Sequence, residues 1–224
     1  MKNIISVHGV LVNGSDCSLS RKIYTKLKRQ DYEHAEVSCV KAHLRSDDGY
    51  LELGGGLGVC AITAAKICRK SPIVVEANHH LCASIERNAL LNHASLRLIR
   101  AAVGVTSARK RRFWLNTDCR ASSFWNTRGA SVSCDVRVVT LSSLLRKHCP
   151  SFLMCDIEGS ELEVLGSSQL EGVATLCVEI HPNRLGGTGC CVLRQHLENI
   201  GFVQKAVDGD NNVWLFQRGR TRNR

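Results

Sequence analysis

Several features that would point to a membrane or secreted protein are missing from this sequence. No apolar run approaches the roughly 18–20 residues that a membrane-spanning helix needs. The apolar stretch Ile4–Val12 is interrupted by His8 and Gly9, and it lacks the small-residue cleavage pattern of a signal peptide. We therefore expect no membrane association and a cytoplasmic location.

The cysteines also lack the spacing of a metal site or a redox pair. The chain has 12 cysteines, and no two of them form a C-x-x-C pair. Cysteine in an apolar helix or strand pattern behaves as a small hydrophobe, and five cysteines lie in such patterns: Cys60, Cys68, Cys82, Cys155 and Cys177. This distribution favours a reducing compartment over a disulfide framework.

Neither an internal repeat nor a linker interrupts the chain, and 224 residues are most simply one domain. A hydrophobic content of 44% with 22% charged residues is ordinary for a globular protein. We expect a single domain over residues 1–224. It would consist of an N-terminal helical cap at 1–45, a core at 46–217 and a basic tail at 218–224.

Positive charge is in excess and is unevenly placed. The net charge is +10, and basic residues cluster at Arg21–Arg29, at Arg109–Arg112 and in the C-terminal tail. Clustered positive charge permits an acidic partner such as nucleic acid. A basic loop and a frayed tail explain the same clusters. A nucleic-acid partner is therefore an alternative that we do not favour.

Short apolar runs alternate with helical patterns, which predicts an α/β protein with a mostly parallel sheet and helices on both faces. A closing pair of strands predicts one antiparallel edge. The predicted strands are 50–53, 73–76, 96–102, 113–115, 136–139, 151–155, 175–180, 202–206 and 213–217. The predicted helices are 20–44 with a break near Gln30, 58–69, one capped by Asn78, 141–147, 161–165 and 191–200. We expect a hairpin turn at 12–14 and loops at 183–189 and 208–212.

One stretch, Tyr50–Gly58, organises the interpretation. A short apolar run leads into glycines at 54, 56 and 58, and a helical pattern follows at once. This order predicts a buried strand, a tight glycine turn and a helix N-terminus, a combination that admits a ligand close to the backbone. Ligands of open α/β sheets bind beyond the carboxyl ends of the strands. The other unusual residues also fall at predicted strand ends: Glu76, Ala102, Asp156, Glu158, Glu179 and His181.

The spacing and charge around the glycines discriminate between cofactors. The glycines follow G-x-G-x-G rather than the G-x-G-x-x-G of nicotinamide sites, and Glu52 precedes them. A pyrophosphate disfavours a nearby carboxylate, whereas an ammonium group favours one. Glu76 lies 20 residues after Gly56 and suits a carboxylate that accepts hydrogen bonds from both ribose hydroxyls. Together these residues predict S-adenosylmethionine as the cofactor.

At this point the sequence resembles a known family. It is similar to class I S-adenosylmethionine-dependent methyltransferases and, among them, to the FkbM family, over roughly residues 30–205. The resemblance rests on segments at 51–58, 74–78, 100–104, 121–124, 139–144, 152–161, 164–166 and 178–181. The most specific part is Asp156-Ile-Glu-Gly-Ser-Glu161. The chain departs from the family pattern with Glu52 in place of aspartate, a Gly-Gly in place of Ala-Asn after Gly54, and Ala77 in place of proline.

The resemblance implies a Rossmann-like fold, with a mostly parallel seven-stranded sheet that contains one antiparallel strand. It also implies a role for each residue at the strand ends. The methionine part of the cofactor is expected near Glu52, Gly54, Gly56, Gly58 and Asp156, and the ribose near Glu76. Asn78 and Ala102 are expected near the adenine, and Glu33, from a Tyr-Glu pair, near the cofactor. For Asn78 a helix cap, and for Glu33 a surface position, remain equally good interpretations.

The expected reaction is methylation of a hydroxyl group on a small molecule, such as a sugar or a natural-product intermediate. His181 is the candidate general base because imidazole titrates near neutral pH. Asp156 and Glu179 are further catalytic candidates, and Glu158 is expected to contact the acceptor. We assign no metal ligand, although Asp156, Glu158, Glu179 and His181 would also suit magnesium or another metal ion. Nucleic-acid methylation and a non-catalytic binding module remain alternatives.

Overall fold

The computed structural model describes residues 3–16, 19–116, 130–208 and 212–218. In chain order the elements are β1 Ile4–Val7, β2 Val10–Asn13, α1 Arg21–Arg29, α2 His34–His43, β3 Tyr50–Leu53, α3 Val59–Ala65, β4 Ile73–Glu76, α4 His79–Leu91, β5 Arg97–Arg100, β6 Ala102–Gly104, β7 Ala108–Asn116, β8 Ala130–Thr140, α5 Leu141–His148, β9 Phe152–Cys155, α6 Glu161–Gly166, β10 Thr175–Glu179, α7 Pro182–Asn199, β11 Val203–Asp208 and β12 Val213–Gln217.

Seven strands form the central sheet, in the order β11-β12-β10-β9-β3-β4-β5. The pairs β10–β9, β9–β3, β3–β4 and β4–β5 are parallel, whereas β12 is antiparallel to both of its neighbours. The prediction of a mostly parallel Rossmann-like sheet with one antiparallel strand is confirmed. β3, β4 and β5 follow one another toward one edge of the sheet, whereas the later strands β9 to β12 lie toward the other edge. The strand order therefore reverses between β3 and β9. Ligands bind at such a reversal in open α/β sheets.

Successive side chains of a strand point to opposite faces of the sheet, and the two faces carry separate apolar clusters. Tyr50 and Phe152 belong to a cluster that also contains side chains of α2, α3 and α4. Leu51 and Leu153, one position later on the same strands, pack with side chains of α5, α6 and α7. Helices therefore cover both faces, as predicted. The polar residues that follow these buried strands are carried to one common edge.

The N-terminal region differs from its prediction in one detail. It forms the expected hairpin, but β1 and β2 are joined at His8 and Gly9, and the predicted turn at 12–14 is wrong. Both turn residues have positive φ angles (51° and 86°), as a tight two-residue hairpin turn requires. The predicted helical region at 20–44 divides into α1 and α2 as expected. The division occurs at Gln30, which adopts a left-handed conformation.

Three other predictions of element boundaries were wrong. α3 ends at Ala65 rather than near Arg69. The predicted strand 96–102 divides, because Ala102 begins β6, which pairs with β8 in a second sheet of order β6-β8-β7. The predicted loop at 183–189 is helical on both sides of Gly186. α7 begins at Pro182 and is kinked at Gly186, whose φ of 68° and ψ of 168° are not helical. Proline at the first helical position favours this start, and Gly186 interrupts the helix because glycine readily adopts a positive φ.

The cysteines and the helices bear on two expectations from the sequence, the absence of a disulfide framework and the absence of a membrane span. In the described ranges ten cysteines are free thiols, and some of them, such as Cys60 and Cys177, are buried. None of the helices in those ranges combines the length and the apolar character that a membrane crossing requires.

The predicted basic tail falls outside the described residues from 219 onward. Arg218 itself is not frayed, because its guanidinium donates to the backbone oxygens of Val173 and Leu170.

Candidate active site

The glycine loop after β3 places backbone where a side chain would not fit. Gly54 has a φ of 84°, and a Cβ atom on it would overlap the carbonyl oxygen of Asp156 at the end of β9. Gly56 (φ 50°) lies so close to the start of α2 that a Cβ atom would be 2.8 Å from Glu33 Oε1 and 2.9 Å from the Tyr32 hydroxyl oxygen. The loop is therefore the point where β9 and α2 approach β3.

Glu76, the last residue of β4, holds this loop from the other side. Its Oε2 accepts hydrogen bonds from the backbone N–H groups of Gly55 (3.0 Å) and Gly56 (3.2 Å). Its Oε1 accepts one from the N–H of Asn78 at 2.7 Å. Burial raises the pKa of Glu76 to about 6, although these hydrogen bonds act to lower it. The carboxylate thus fixes the loop and still faces the adjoining cavity.

A cavity of about 240 Å³ opens at the carboxyl ends of β3, β4, β9 and β10. Its apolar lining includes Val75, Leu81 and Phe113, and most of its polar lining residues are acidic. Seven carboxyl side chains line it in the described part of the chain: Asp31, Glu33, Glu36, Glu76, Asp156, Glu158 and Glu179. Lys26 is the single lysine among the lining residues. An excess of negative charge in a partly closed cavity favours a positively charged ligand.

Two of these carboxyl groups come from α2 and its N-terminus. Glu33 has a positive φ of 50° before the first helical residue, and its Oε2 atom is shielded from solvent without a hydrogen-bond partner. Burial raises the pKa of Glu33 to about 7. Burial, with added repulsion from Glu179 and Glu33, raises the pKa of Glu36 to about 8. Raised carboxyl pKa values of this kind are common at functional sites.

Three carboxylates converge on His181, which follows β10: Asp156 and Glu158 after β9, and Glu161 at the start of α6. The His181 Nδ1 atom lies 2.9 Å from Glu161 Oε1, and its Nε2 atom lies 3.3 Å from Glu158 Oε2 and 3.7 Å from Asp156 Oδ1. The side chain of Glu161 is fully buried and also accepts a hydrogen bond from the N–H of Gly159. Although Glu158 lies in a turn (φ 54°), its carboxylate and that of Asp156 converge on the same imidazole.

The surrounding carboxylates determine the charge of His181. Burial alone would lower its pKa, but hydrogen bonds to Glu158 and Glu161 and the charge of Asp156 raise the pKa to about 11. The ring is therefore an imidazolium at neutral pH, a form that cannot accept a proton. Burial, reinforced by Glu179 and Glu158, raises the pKa of Asp156 well above its usual range. The surroundings therefore favour the protonated form of both groups.

The residues predicted from the sequence separate into two groups in the structure. Those that line the cavity are Glu33, Gly54, Gly56, Glu76, Ala102, Asp156, Glu158 and Glu179. Glu52 does not line it, because its side chain is buried beneath the sheet and accepts a hydrogen bond from the Tyr50 hydroxyl at 3.0 Å. Gly58 is the residue before α3, and Asn78 caps α4 by accepting a hydrogen bond from His80 N–H. His181 lies behind Asp156 and Glu158.

Sequence reasoning missed three carboxylates of the site: Asp31, Glu36 and Glu161. Asp31 and Glu36 lie close to Glu33 in the sequence and line the same cavity, but Glu33 precedes α2 with a positive φ, so no helical spacing indicated that they share the site. Glu161 stands within the segment 152–161 that carried the family resemblance, but its position gave no indication of a partner. From the sequence we also expect residues 119–135 to contribute to acceptor specificity, and residues 119–129 of that segment lie outside the part of the chain that the structure describes.

Comparisons with known proteins agree with this architecture. A family model described as the methyltransferase FkbM domain matches residues 54–206. No curated protein matches the chain. Among solved structures, the chain is similar to a precorrin-6y C5,15-methyltransferase from Geobacter metallireducens GS-15, with 12% identity, a TM-score of 0.52, and coverage of 86% of this chain and 88% of that one.

Two other solved structures show the same fold. One is a ribosomal protein L11 methylase from Lactobacillus delbrueckii subsp. bulgaricus, with 14% identity, a TM-score of 0.51, and coverage of 84% of this chain and 79% of that one. The other is TYW2 from M. jannaschii in complex with AdoMet, with 12% identity, a TM-score of 0.51, and coverage of 96% and 86%. These likenesses extend over most of both chains and confirm a Rossmann-like methyltransferase fold.

Proposed function

The chain belongs to the FkbM methyltransferase domain family, and on that premise we propose that it transfers a methyl group from S-adenosylmethionine to a hydroxyl group of a small molecule. The observation that carries this proposal is the acidic cavity at the carboxyl ends of β3, β4, β9 and β10. Two of its buried carboxyl oxygens, Glu33 Oε2 and Asp156 Oδ1, have no hydrogen-bond partner. A ligand with cationic and hydrogen-donating groups would satisfy both.

The residues present fit this cofactor. S-adenosylmethionine carries an ammonium group and a sulfonium centre, and both favour the carboxylates of the cavity. Glu76 accepts three backbone hydrogen bonds, which leaves about one of the four lone-pair sites of a carboxylate for a ligand. We assign one ribose hydroxyl to Glu76, the ammonium group to Glu33, and the adenine to the apolar wall near Ala102. Gly54 and Gly56 keep the loop backbone accessible to the methionine part.

The chemistry needs alignment and one proton acceptor. The cofactor supplies an electrophilic methyl group on sulfur, and the acceptor hydroxyl loses its proton as it is methylated. Asp156 and Glu179 face the cavity, and we assign removal of that proton to Asp156 because of its raised pKa. Glu158 is positioned to hold a second hydroxyl of the acceptor. His181, as an imidazolium, would hold Glu158 and Asp156 in place rather than act as the base.

A small polyol or sugar is the acceptor class that the cavity suits. Carboxylates are good acceptors for hydroxyl groups, and Glu158 and Glu179 would remain for this purpose once the cofactor is bound. These observations support small-molecule O-methylation, in line with the family resemblance.

The cofactor assignment is tested by calorimetric titration of the full chain with S-adenosylmethionine. Wild type should bind, and Glu76→Ala should weaken binding by at least about tenfold, or 1.4 kcal/mol. Glu198→Ala, which removes an exposed carboxylate of α7, is the matched control and should bind as wild type does. Circular dichroism would check that the Glu76 variant is folded. Equal affinity of wild type and folded Glu76→Ala would refute the assignment.

The acceptor is identified with methyl-labelled S-adenosylmethionine and a cell extract divided into small molecules, RNA and protein. We expect the label in the small-molecule fraction and a product whose mass is increased by one methyl group in place of a hydrogen. Label that appears only in protein or RNA would contradict the proposed acceptor class while leaving the cofactor assignment intact.

RNA methylation is a second candidate, and one observation favours it. Lys26 of α1 and Phe113 of β7 line the cavity from different elements, and the same two elements carry exposed basic residues at 21–22, 28–29 and 109–112. Positive charge therefore flanks an acidic interior. Binding of RNA that falls steeply with salt concentration, together with label in the RNA fraction, would favour this candidate over the first.

A further inference from the structure

A compact set of metal-binding atoms lies at the ends of β9 and β10. Asp156, Glu179 and His181 each offer one ligand atom, and these three atoms lie within 4.8 Å of one another. All three residues are partly accessible, so an ion can enter from the cavity. Two carboxylates and one imidazole suit divalent cations that accept both oxygen and nitrogen ligands, such as Mn²⁺.

The histidine of this set is oriented by a buried partner. His181 Nδ1 is hydrogen-bonded to Glu161 Oε1 at 2.9 Å, and the Glu161 side chain is fully buried. The other ring nitrogen, Nε2, therefore faces Asp156 and Glu158. A histidine that binds a metal ion through one nitrogen usually donates its other N–H group to a carboxylate, which fixes the orientation of the ring. Glu161 provides that support here.

One oxygen of the set has no partner. Asp156 Oδ1 is shielded from solvent and has no hydrogen bond, although it lies 3.7 Å from His181 Nε2. A buried polar atom without a partner destabilises the folded protein. The seven carboxyl groups and single lysine around the cavity add to the excess of negative charge. A cation at this position would satisfy the oxygen and reduce the repulsion.

We propose that Asp156, Glu179 and His181 bind a divalent cation, with Glu158 close enough to join them and Glu161 acting as the positioning residue for His181. The cation and the Nε2 proton of His181 are alternative occupants, because a metal-bound imidazole nitrogen carries no proton. The proposal that the cation binds rests on the ligand geometry alone. The role of the cation in the reaction rests on the proposed function, in which the cation would hold the acceptor hydroxyl and lower the pKa of that hydroxyl.

The test is a titration of the full chain with Mn²⁺, after treatment with a chelator, in which electron paramagnetic resonance measures the free ion. Wild type should bind one Mn²⁺ per chain with a Kd below about 1 mM, the weak end of protein cation sites. Glu179→Gln should weaken binding by at least about tenfold, and Glu161→Gln by about 10–100-fold. Glu163→Gln, which changes an exposed carboxylate of the same helix α6, should leave the affinity unchanged.

Absence of Mn²⁺ binding by wild type would overturn the proposal, and so would equal affinities of wild type and folded Glu179→Gln. If Glu179→Gln does not fold, as judged by circular dichroism, Asp156→Asn takes its place with the same expected loss. The measurement uses no S-adenosylmethionine, so it is independent of the calorimetric test of the cofactor. Mn²⁺ binding without cofactor binding would retain the metal site and reject the proposed function.

Discussion

The ends of β3 and β4 and the ends of β9 and β10 form two halves of one acidic edge, and they differ in how their carboxylates are satisfied. In the first half, Glu52 is bonded to the Tyr50 hydroxyl and Glu76 to three backbone N–H groups. In the second half, Asp156 Oδ1 has no hydrogen-bond partner, and neither has Oε2 of the buried Glu161.

The difference indicates that the two halves of the edge are organised differently before a ligand binds. The first half is held in place by internal hydrogen bonds and is ready for a cofactor before the cofactor arrives. The second half depends on the imidazolium of His181 to offset three carboxylates. It is therefore the half in which an added cation or acceptor changes the electrostatic balance most. The following predictions, from the largest effect to the smallest, test this contrast.

The largest effect is expected where the two halves touch. Gly54→Ala would force a Cβ atom into the Asp156 carbonyl oxygen at a residue with a φ of 84°. We expect a loss of several kcal/mol in the free energy of unfolding, comparable to the most destabilising single substitutions, measured by urea denaturation. Gly9→Ala is the control, since its φ is also positive (86°) but no atom lies within 4 Å of the added Cβ. It should cost only about 1–2 kcal/mol. Similar losses for both variants would contradict the close approach.

The second prediction concerns the stability of the protein without metal ion or ligand as pH rises. The pKa values of Glu33 and Glu36 are raised by burial to about 7 and 8, and that of His181 is raised to about 11. Each group therefore binds its proton more strongly in the folded than in the unfolded state. Stability should fall between pH 5 and pH 8, by about 2 kcal/mol or more, because one pKa unit corresponds to about 1.4 kcal/mol.

Urea denaturation at pH 5, 6.5 and 8 in the presence of a chelator measures this change. Glu36→Gln should flatten the profile because it removes one of the titrating groups. A stability that rises over this range would show that the carboxyl groups of the cavity are not held in a proton-binding environment.

The third prediction concerns the pH dependence of cofactor affinity, which tests the half of the edge formed by the ends of β3 and β4. S-adenosylmethionine should bind about a hundredfold more tightly at pH 8 than at pH 5.5, because Glu33 and Glu76, with pKa values of about 7 and 6, must lose their protons to hold cationic or hydroxyl groups. Calorimetry at the two pH values measures the ratio. Glu33→Gln should bind more weakly at pH 8 and show a smaller ratio, and an unchanged ratio would remove Glu33 from the cofactor site.

The smallest effect is expected at Asn78, where two interpretations of the sequence were equally good. In the structure its side chain is buried and caps α4. Asn78→Ala should lower the free energy of unfolding by about 1 kcal/mol, the usual contribution of such a cap, and change cofactor affinity by less than threefold. Thr140→Ala, at the cap of α5, should have a similar effect on stability. A tenfold loss of affinity in Asn78→Ala alone would assign the residue to the adenine site.

Local signals in the sequence explain why most of the fold could be predicted. The strands 50–53, 73–76 and 213–217 have the predicted bounds, since short apolar runs between turn residues are a reliable strand pattern. The glycine-rich segment at 186–189 was misread as a loop because glycines are typical of loops, whereas only Gly186 departs from helical geometry in α7. The bend at Ala101 was missed because it depends on pairing between β6 and β8, and that pairing is not a property of residues 96–102.

The amino-acid sequence by itself determined the alternation of strands and helices, the glycine loop and the presence of carboxylates at strand ends, because each is encoded within a few neighbouring residues. Only the tertiary structure decided which carboxylates meet. Glu33 approaches Gly56 from the start of α2, Glu161 meets His181 across 20 residues, and Glu52 accepts a hydrogen bond from the Tyr50 hydroxyl. The physical reason is that burial and charge depend on packing between distant segments. The same packing raises the pKa of His181.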